Sequence, residues 1–348
     1  MIDLELFENL KLRFRCDSSV LKQLDSRYQR VAELLRTLRN SSKEIVFPTD
    51  DLLLLALHPL AQGLLAFQKG YISPERAARI AGELCRLDRS SMNALAEGKQ
   101  RILQLQCLLP DIDTRGETIQ ISDNFSFSQS RFDDSLETLI DCCGEDYRRF
   151  LGIVKTVTVV TVPRMGELPY FSGADTDSWG AMHTTAPADD FVLAETLTHE
   201  AAHHWLFTLE EITPMAENPW SGDAWISPWR SDLRPIGGVV HGVFVFSCAA
   251  VVLISLVTFR SIGLDDTTRM NVIRRVCRLC AQVEAGLNEI QRCREITPAG
   301  RSLAASVAER IGTVESLLDT ELLRKARDRC EKEQKLKHEK YFPDSTKS

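Results

Sequence analysis

Residues 189–211 read DDFVLAETLTHEAAHHWLFTLEE. Asp189 and Asp190 place negative charge where the first turn of a helix exposes unpaired N–H groups, so a helix is predicted to start there. Within it, His199, Glu200, Ala201, Ala202 and His203 spell H-E-x-x-H. Residues four apart lie about 40° apart around a helix and roughly 6 Å along it, so both imidazoles can aim a nitrogen at one metal ion about 2.0–2.1 Å away. Glu200 sits on the flank of that face, where a carboxylate can accept a proton from metal-bound water or steady the ligands from outside. His204 is turned about 140° from His199 and reads as a packing or supporting residue. With 7 His and 49 acidic residues in 348, chance produces the motif in roughly two of a hundred such chains.

Upstream, residues 15–108 carry apolar positions at three- and four-residue spacing, in SVLKQLDSRYQRVAELLRTL and DLLLLALHPLAQGLLAFQ, and Pro74 fits the first turn of a further helix. The pattern turns to alternation in GETIQISDN (116–124). The β-branched run VKTVTVVTVP (154–163) is the strongest strand, and WGAMHTTA (179–186) is a third. Strands that feed straight into an H-E-x-x-H helix are the arrangement of zincin-like metalloproteins. Downstream, residues 211–238 are rich in Pro, Trp and Gly and read as a long loop of the functional kind.

The run VVHGVFVFSCAAVVLISLVTF (239–259) has no formal charge and the length of a membrane span. A histidine near its start, the lack of a second span and the abundance of amphipathic helices favour a central core helix instead. The tail from residue 321 is basic on balance and reads as a solvated helix that frays. The sequence thus predicts a mostly helical α+β protein: a helical region at 1–112, a zincin-like metal-binding domain with a small sheet at 113–320, and a charged tail at 321–348.

Composition narrows the classes further. A chain with 44% hydrophobic and 26% charged residues, 18 Gly and 13 Pro is neither disordered nor low in complexity. A net charge of −7 removes the electrostatic footprint of a dedicated nucleic-acid binder. Ten cysteines are too sparse for a disulfide-held miniprotein, and the start, MIDLELFENLKLRFRC, lacks the basic-then-apolar pattern of a secretory signal. A reducing cytoplasm is expected, with Cys142, Cys143 and the C-x-x-C pair Cys277 and Cys280 as free thiols.

Two histidines rarely hold a catalytic metal alone. His241, at the head of the apolar helix beside Gly242, is the strongest candidate for a third ligand, since an ionisable group buried there is costly without a partner. Glu210, Glu211, Glu217 and Asp223 are its rivals. Between the ligands lies SPWRSDLRPIGGVVH, residues 227–241, in which Pro228 and Pro235 present Arg230 and Arg234 as fixed forks suited to gripping a carboxylate. Asp232 can neutralise one of them, which leaves the other open.

These residues resemble the HExxH-type 2-oxoglutarate-dependent peptide β-hydroxylases that act on ribosomally made, modified peptides. The resemblance covers roughly residues 150–310. It rests on ETLTHEAAH (195–203), PWRSDLRPIGGVVHG (228–242), TPAGR (297–301), and a strand ending in Pro163 followed by Ser172 and Gly173. It implies non-haem Fe(II), 2-oxoglutarate and O₂, with hydroxylation at the β-carbon of a side chain in a precursor peptide. By motif position it implies iron on His199, His203 and His241, with Glu200 as a supporting group or as the carboxylate of the usual two-histidine shell. Arg230 or Arg234, with Trp229 alongside, would hold the distal carboxylate of 2-oxoglutarate. Two other readings stay open: a zinc metallopeptidase using Glu200 as general base, and a non-catalytic interaction module with a closed structural metal site.

Overall fold

The computed structural model describes residues 18–41, 47–49, 51–69, 72–97, 100–103, 120–122, 128–161, 171–174, 176–221, 224–259 and 265–342. Pro163, Asp223 and most of the expected strand at 116–124 lie outside the described residues. The protein is mostly helical with a small mixed sheet. The chain divides into two compact units, Arg15–Ile140 with Glu145–Thr208, and Leu209–Ser348 with Asp141–Gly144.

In the first unit, helices α1 (Ser18–Ser41), α2 (Leu52–Ala56), α3 (Pro59–Gln68), α4 (Pro74–Cys85) and α5 (Arg89–Ala96) precede the sheet. Ser73 caps α4 by accepting from the Arg76 N–H at 3.2 Å, with Pro74 in the first turn, as the sequence predicts. Val31, Leu35, Leu55, Leu60 and Ile80, all fully buried, form one apolar cluster. Then follow β1 (Arg101–Ile102), β2 (Gln120–Ile121), α6 (Gln129–Cys143), α7 (Glu145–Leu151), β3 (Thr156–Thr161), β4 (Ser172–Gly173), β5 (Ala181–Thr184) and α8 (Asp190–Ile212).

Strand β3 is the axis of the sheet. It pairs in parallel with β1 and β5 and antiparallel with β2, while β4 pairs antiparallel with β5. Thr156 to Val160 are all buried, which explains a continuous β-branched run in place of alternation. Asp189 ends the approach to α8 by accepting from Phe191 and Val192 N–H groups, both at 2.9 Å.

The second unit holds the hairpin β6 (Ala224–Ile226) and β7 (Leu233–Pro235), then α9 (Ile236–Phe259), α10 (Asp266–Arg292), α11 (Pro298–Glu315) and α12 (Thr320–Tyr341). The apolar helix α9 is long and apolar enough to cross a membrane, yet 94% of its most apolar window is buried, with α10 and α11 packed along it. Two expectations need correction. The long loop at 211–238 contains the β6–β7 hairpin, with Trp225 opposite Arg234. Over its described residues the charged tail is more than a solvated helix: α12 buries Leu323 and Cys330, and Arg327 grips Glu284 through two hydrogen bonds of 2.7 and 2.6 Å and Glu315 at 2.8 Å.

His58 gives the first unit a proton-sensitive cap. Its Nδ1 accepts from the Leu60 N–H at 3.2 Å to start α3, and the ring is 1% exposed. Burial lowers its imidazole to about 3. An unfolded histidine takes a proton near 6.5, so the stability of this neutral cap is complete above pH 6.5 and is lost as pH falls toward 3. His58→Asn keeps an acceptor at the cap without a titrating ring. Its stability should therefore fall less steeply than wild type between pH 6.5 and 4, by up to about 1.4 kcal/mol per pH unit. Urea titrations across that range measure the slopes, and parallel slopes would contradict the assignment.

Candidate metal centre and arginine hairpin

In the first unit, α8 is fastened on the sides that do not carry the motif histidines. Trp205 Nε1 donates to the Phe150 carbonyl at 2.8 Å, and Tyr147 and Thr198 share a hydroxyl contact of 2.7 Å. His204 Nε2 lies 3.0 Å from the Ala181 carbonyl, and its Nδ1 accepts from the Gly180 N–H at 3.4 Å. Burial lowers this imidazole to about 4, so it is neutral, with its proton on Nε2. It joins α8 to β5 as a packing residue.

With the helix so held, His199 and His203 present their Nε2 atoms to each other at 3.2 Å, with ring centroids 4.8 Å apart. Two bonds of about 2.0–2.1 Å to one ion across that gap would subtend about 100°, between octahedral and tetrahedral angles. Glu200, 1% exposed, accepts from the Ser172 hydroxyl at 2.6 Å, which ties the helix to β4. Gly173 is needed next door. A Cβ there would lie 2.4 Å from Nε2 of His183, its partner across the β4–β5 pair. Burial lowers His183 to about 4, so it stays neutral beside Phe171.

The second unit places His241 in the second turn of α9, 3% exposed, with Nε2 at 3.1 Å from Oε2 of Glu210. The other oxygen of Glu210 is buried and has no hydrogen-bond partner among the described residues. The Trp220 ring lies 5.2 Å from the His241 ring. The backbone beneath Trp220 is pinned from two directions. The Gly237 N–H donates to the Pro219 carbonyl at 2.7 Å, and the Thr297 N–H and hydroxyl donate to Met215 and Pro214 at 3.1 and 2.7 Å. Gly300 completes the clamp, since a Cβ there would collide with the Met215 carbonyl oxygen. The TPAGR stretch thus holds the loop that covers His241.

Arg230 and Arg234 lie in the β6–β7 hairpin. Asp232 does not choose between them: Oδ1 is 3.0 Å from Arg230 Nε and Oδ2 is 3.1 Å from Arg234 Nε. Burial acts to raise the Asp232 carboxyl, but the hydrogen bond and charge of Arg230, with Arg234 behind, hold it below its usual value. Burial and the nearby charge of Arg230 push the Arg234 guanidinium down. The Arg234 Nε lacks hydrogen-bond geometry to Asp232, and it and the Trp229 indole N–H are buried donors without an acceptor among the described residues. Trp229 stacks on Phe246 at 5.0 Å and fills a slot in which Cβ atoms at Gly242 or Gly286 would lie 2.5 and 2.9 Å from its ring. Gly242 therefore admits an indole.

In the first unit His199 lies against His203, and in the second His241 lies against Glu210. Among the described residues, no group of three or more His, Cys, Asp or Glu side chains is arranged to hold a metal ion. Sequence reasoning missed the Ser172–Glu200 bond, the slot for Trp229 and the cover over His241. Gly286, in the interior of a helix where glycine is unfavourable, was the available signal for the slot. No protein-family model and no curated protein matches this chain.

The Gly173–His183 contact is directly testable. Gly173→Ala should destabilise by about 1–3 kcal/mol through overpacking. Adding His183→Ala should cancel most of that penalty in a double-mutant cycle. Additive effects measured by denaturant unfolding would show that the two positions do not touch.

Proposed function

We propose that this protein is an Fe(II)- and 2-oxoglutarate-dependent oxygenase that hydroxylates the β-carbon of a side chain in a ribosomally made precursor peptide, akin to the HExxH-type hydroxylases its motifs resemble. The observation that carries the reading is two guanidinium groups, Arg230 and Arg234, held on one short hairpin around a single carboxylate, Asp232, beside a buried Trp229 indole N–H that has no acceptor among the described residues. Buried N–H groups without partners are costly. A carboxylate supplied from outside would meet two guanidinium forks with only one carboxylate of the chain between them.

The donor set suits a metal as well. The Nε2 atoms of His199 and His203 have the separation of a two-point chelate. Glu210 has a buried oxygen without a hydrogen-bond partner next to His241. On this reading His199 and His203 hold the iron, His241 is the third ligand, and Glu210 either orients His241 or joins it. When bound, iron with 2-oxoglutarate supplies the O₂-dependent oxidation of a C–H bond. Glu200, fixed by Ser172, steadies the histidine-bearing turn, which favours a supporting role over a mobile general base. Arg234, with Arg230 and Trp229, binds and orients the distal carboxylate. A cytoplasmic enzyme with a peptide partner and no nucleic-acid ligand completes the proposal.

A zinc peptidase would leave the arginine hairpin without a task. Protein purified without oxygen, loaded with Fe(II) and given candidate peptides should release succinate only with 2-oxoglutarate present. Arg234→Met should raise the KM for 2-oxoglutarate at least about tenfold, the loss of one charge-assisted contact, with metal content unchanged. Bound zinc with peptide cleavage abolished by Glu200→Gln would contradict the proposal.

A further inference from the structure

The loop that joins β6 to β7, residues 227–232, has no repeating backbone hydrogen bonds of its own, and Ser227 and Pro228 are buried. Buried carbonyls need donors. Here they come from far along the chain. Lys337 Nζ donates to the Ser227 carbonyl at 2.8 Å and to the Pro228 carbonyl at 3.4 Å. Pro228 also accepts from Gln282 Nε2 at 3.0 Å. The Tyr341 hydroxyl donates to the Ser231 carbonyl at 2.5 Å. Lys337 and Tyr341 are four residues apart, so they project from one face of α12. Both reach backbone atoms that flank Trp229, Arg230 and Asp232.

Two features argue that these contacts do more than seat the helix. α12 is already anchored about two to four turns upstream of Lys337, by Arg327 on Glu284 and Glu315 and by the burial of Leu323 and Cys330. A half-buried ammonium spent on carbonyl oxygens is also a costly choice, since desolvation disfavours its charge. Burial indeed lowers the Lys337 ammonium below its ordinary value.

We propose that the C-terminal helix sets the affinity of the arginine hairpin for a dicarboxylate, with Lys337 and Tyr341 as positioning residues that hold the loop in the shape presenting Arg230 and Arg234. This rests on the reading of that hairpin as the 2-oxoglutarate clamp. Neither residue touches the ligand in this scheme. They act through the loop backbone.

The test uses the full chain loaded with Mn(II) in the absence of oxygen. 2-Oxoglutarate binding is followed by calorimetry and backbone amide exchange by mass spectrometry. The double variant Lys337→Met/Tyr341→Phe should weaken 2-oxoglutarate binding at least about tenfold and speed exchange at residues 227–234, with Mn(II) affinity unchanged. Lys337→Arg, which retains donors, should restore affinity to within about threefold of wild type when Tyr341 is intact. Unchanged 2-oxoglutarate affinity in the double variant overturns the proposal, as does an equal loss of Mn(II) affinity, which marks general damage. Absence of 2-oxoglutarate binding to the wild-type chain overturns the clamp reading itself and this proposal with it. That failure appears before any variant is made, so the two are told apart.

Discussion

Two imidazole nitrogens 3.2 Å apart on one turn of α8 are the constraint around which the first unit makes sense. Two ring nitrogens that close can be bridged by one shared cation. The helix itself keeps the two rings adjacent, and a helix that cannot roll fixes where the pair points. Trp205, Tyr147 and His204 supply that from the faces away from the motif, and Ser172 supplies it through Glu200. The parallel pairing of β3 and β5 then sets where those partners sit. Local sequence, packing and proposed chemistry meet at this turn.

The second unit shows the same economy of means. Trp229 occupies a slot cut by two glycines on different helices, which fixes the start of the arginine hairpin. Thr297 and Gly300 fasten the loop that brings Trp220 over His241. Several motif residues quoted for the family resemblance thus have plain physical tasks. Gly242 admits an indole, Gly173 admits an imidazole, Gly300 admits a carbonyl, and Thr297 donates to two backbone oxygens.

Much of this was legible because the signals were long or had caps. The α8 start followed from Asp189, α4 from Ser73 and Pro74, β3 from its β-branched run, and α9 from its unbroken apolar stretch. The hairpin at 224–235 was not, because three-residue strands ending in Pro235 offer no alternation to read. The seating of α12 escaped because it depends on Arg327, Lys337 and Tyr341 reaching partners that composition alone makes look solvated. The pairing of His241 with Glu210 joins residues 31 apart, and no local spacing encodes it.

The central proposal is that His199, His203 and His241 serve one ion. Anomalous diffraction at the metal edge from crystals grown with Fe(II) or Mn(II) addresses it most directly. The account expects a single strong peak about 2.0–2.3 Å from a ring nitrogen of each of the three histidines. A peak on the Cys277–Cys280 pair, or one that touches His199 and His203 without His241, would contradict it.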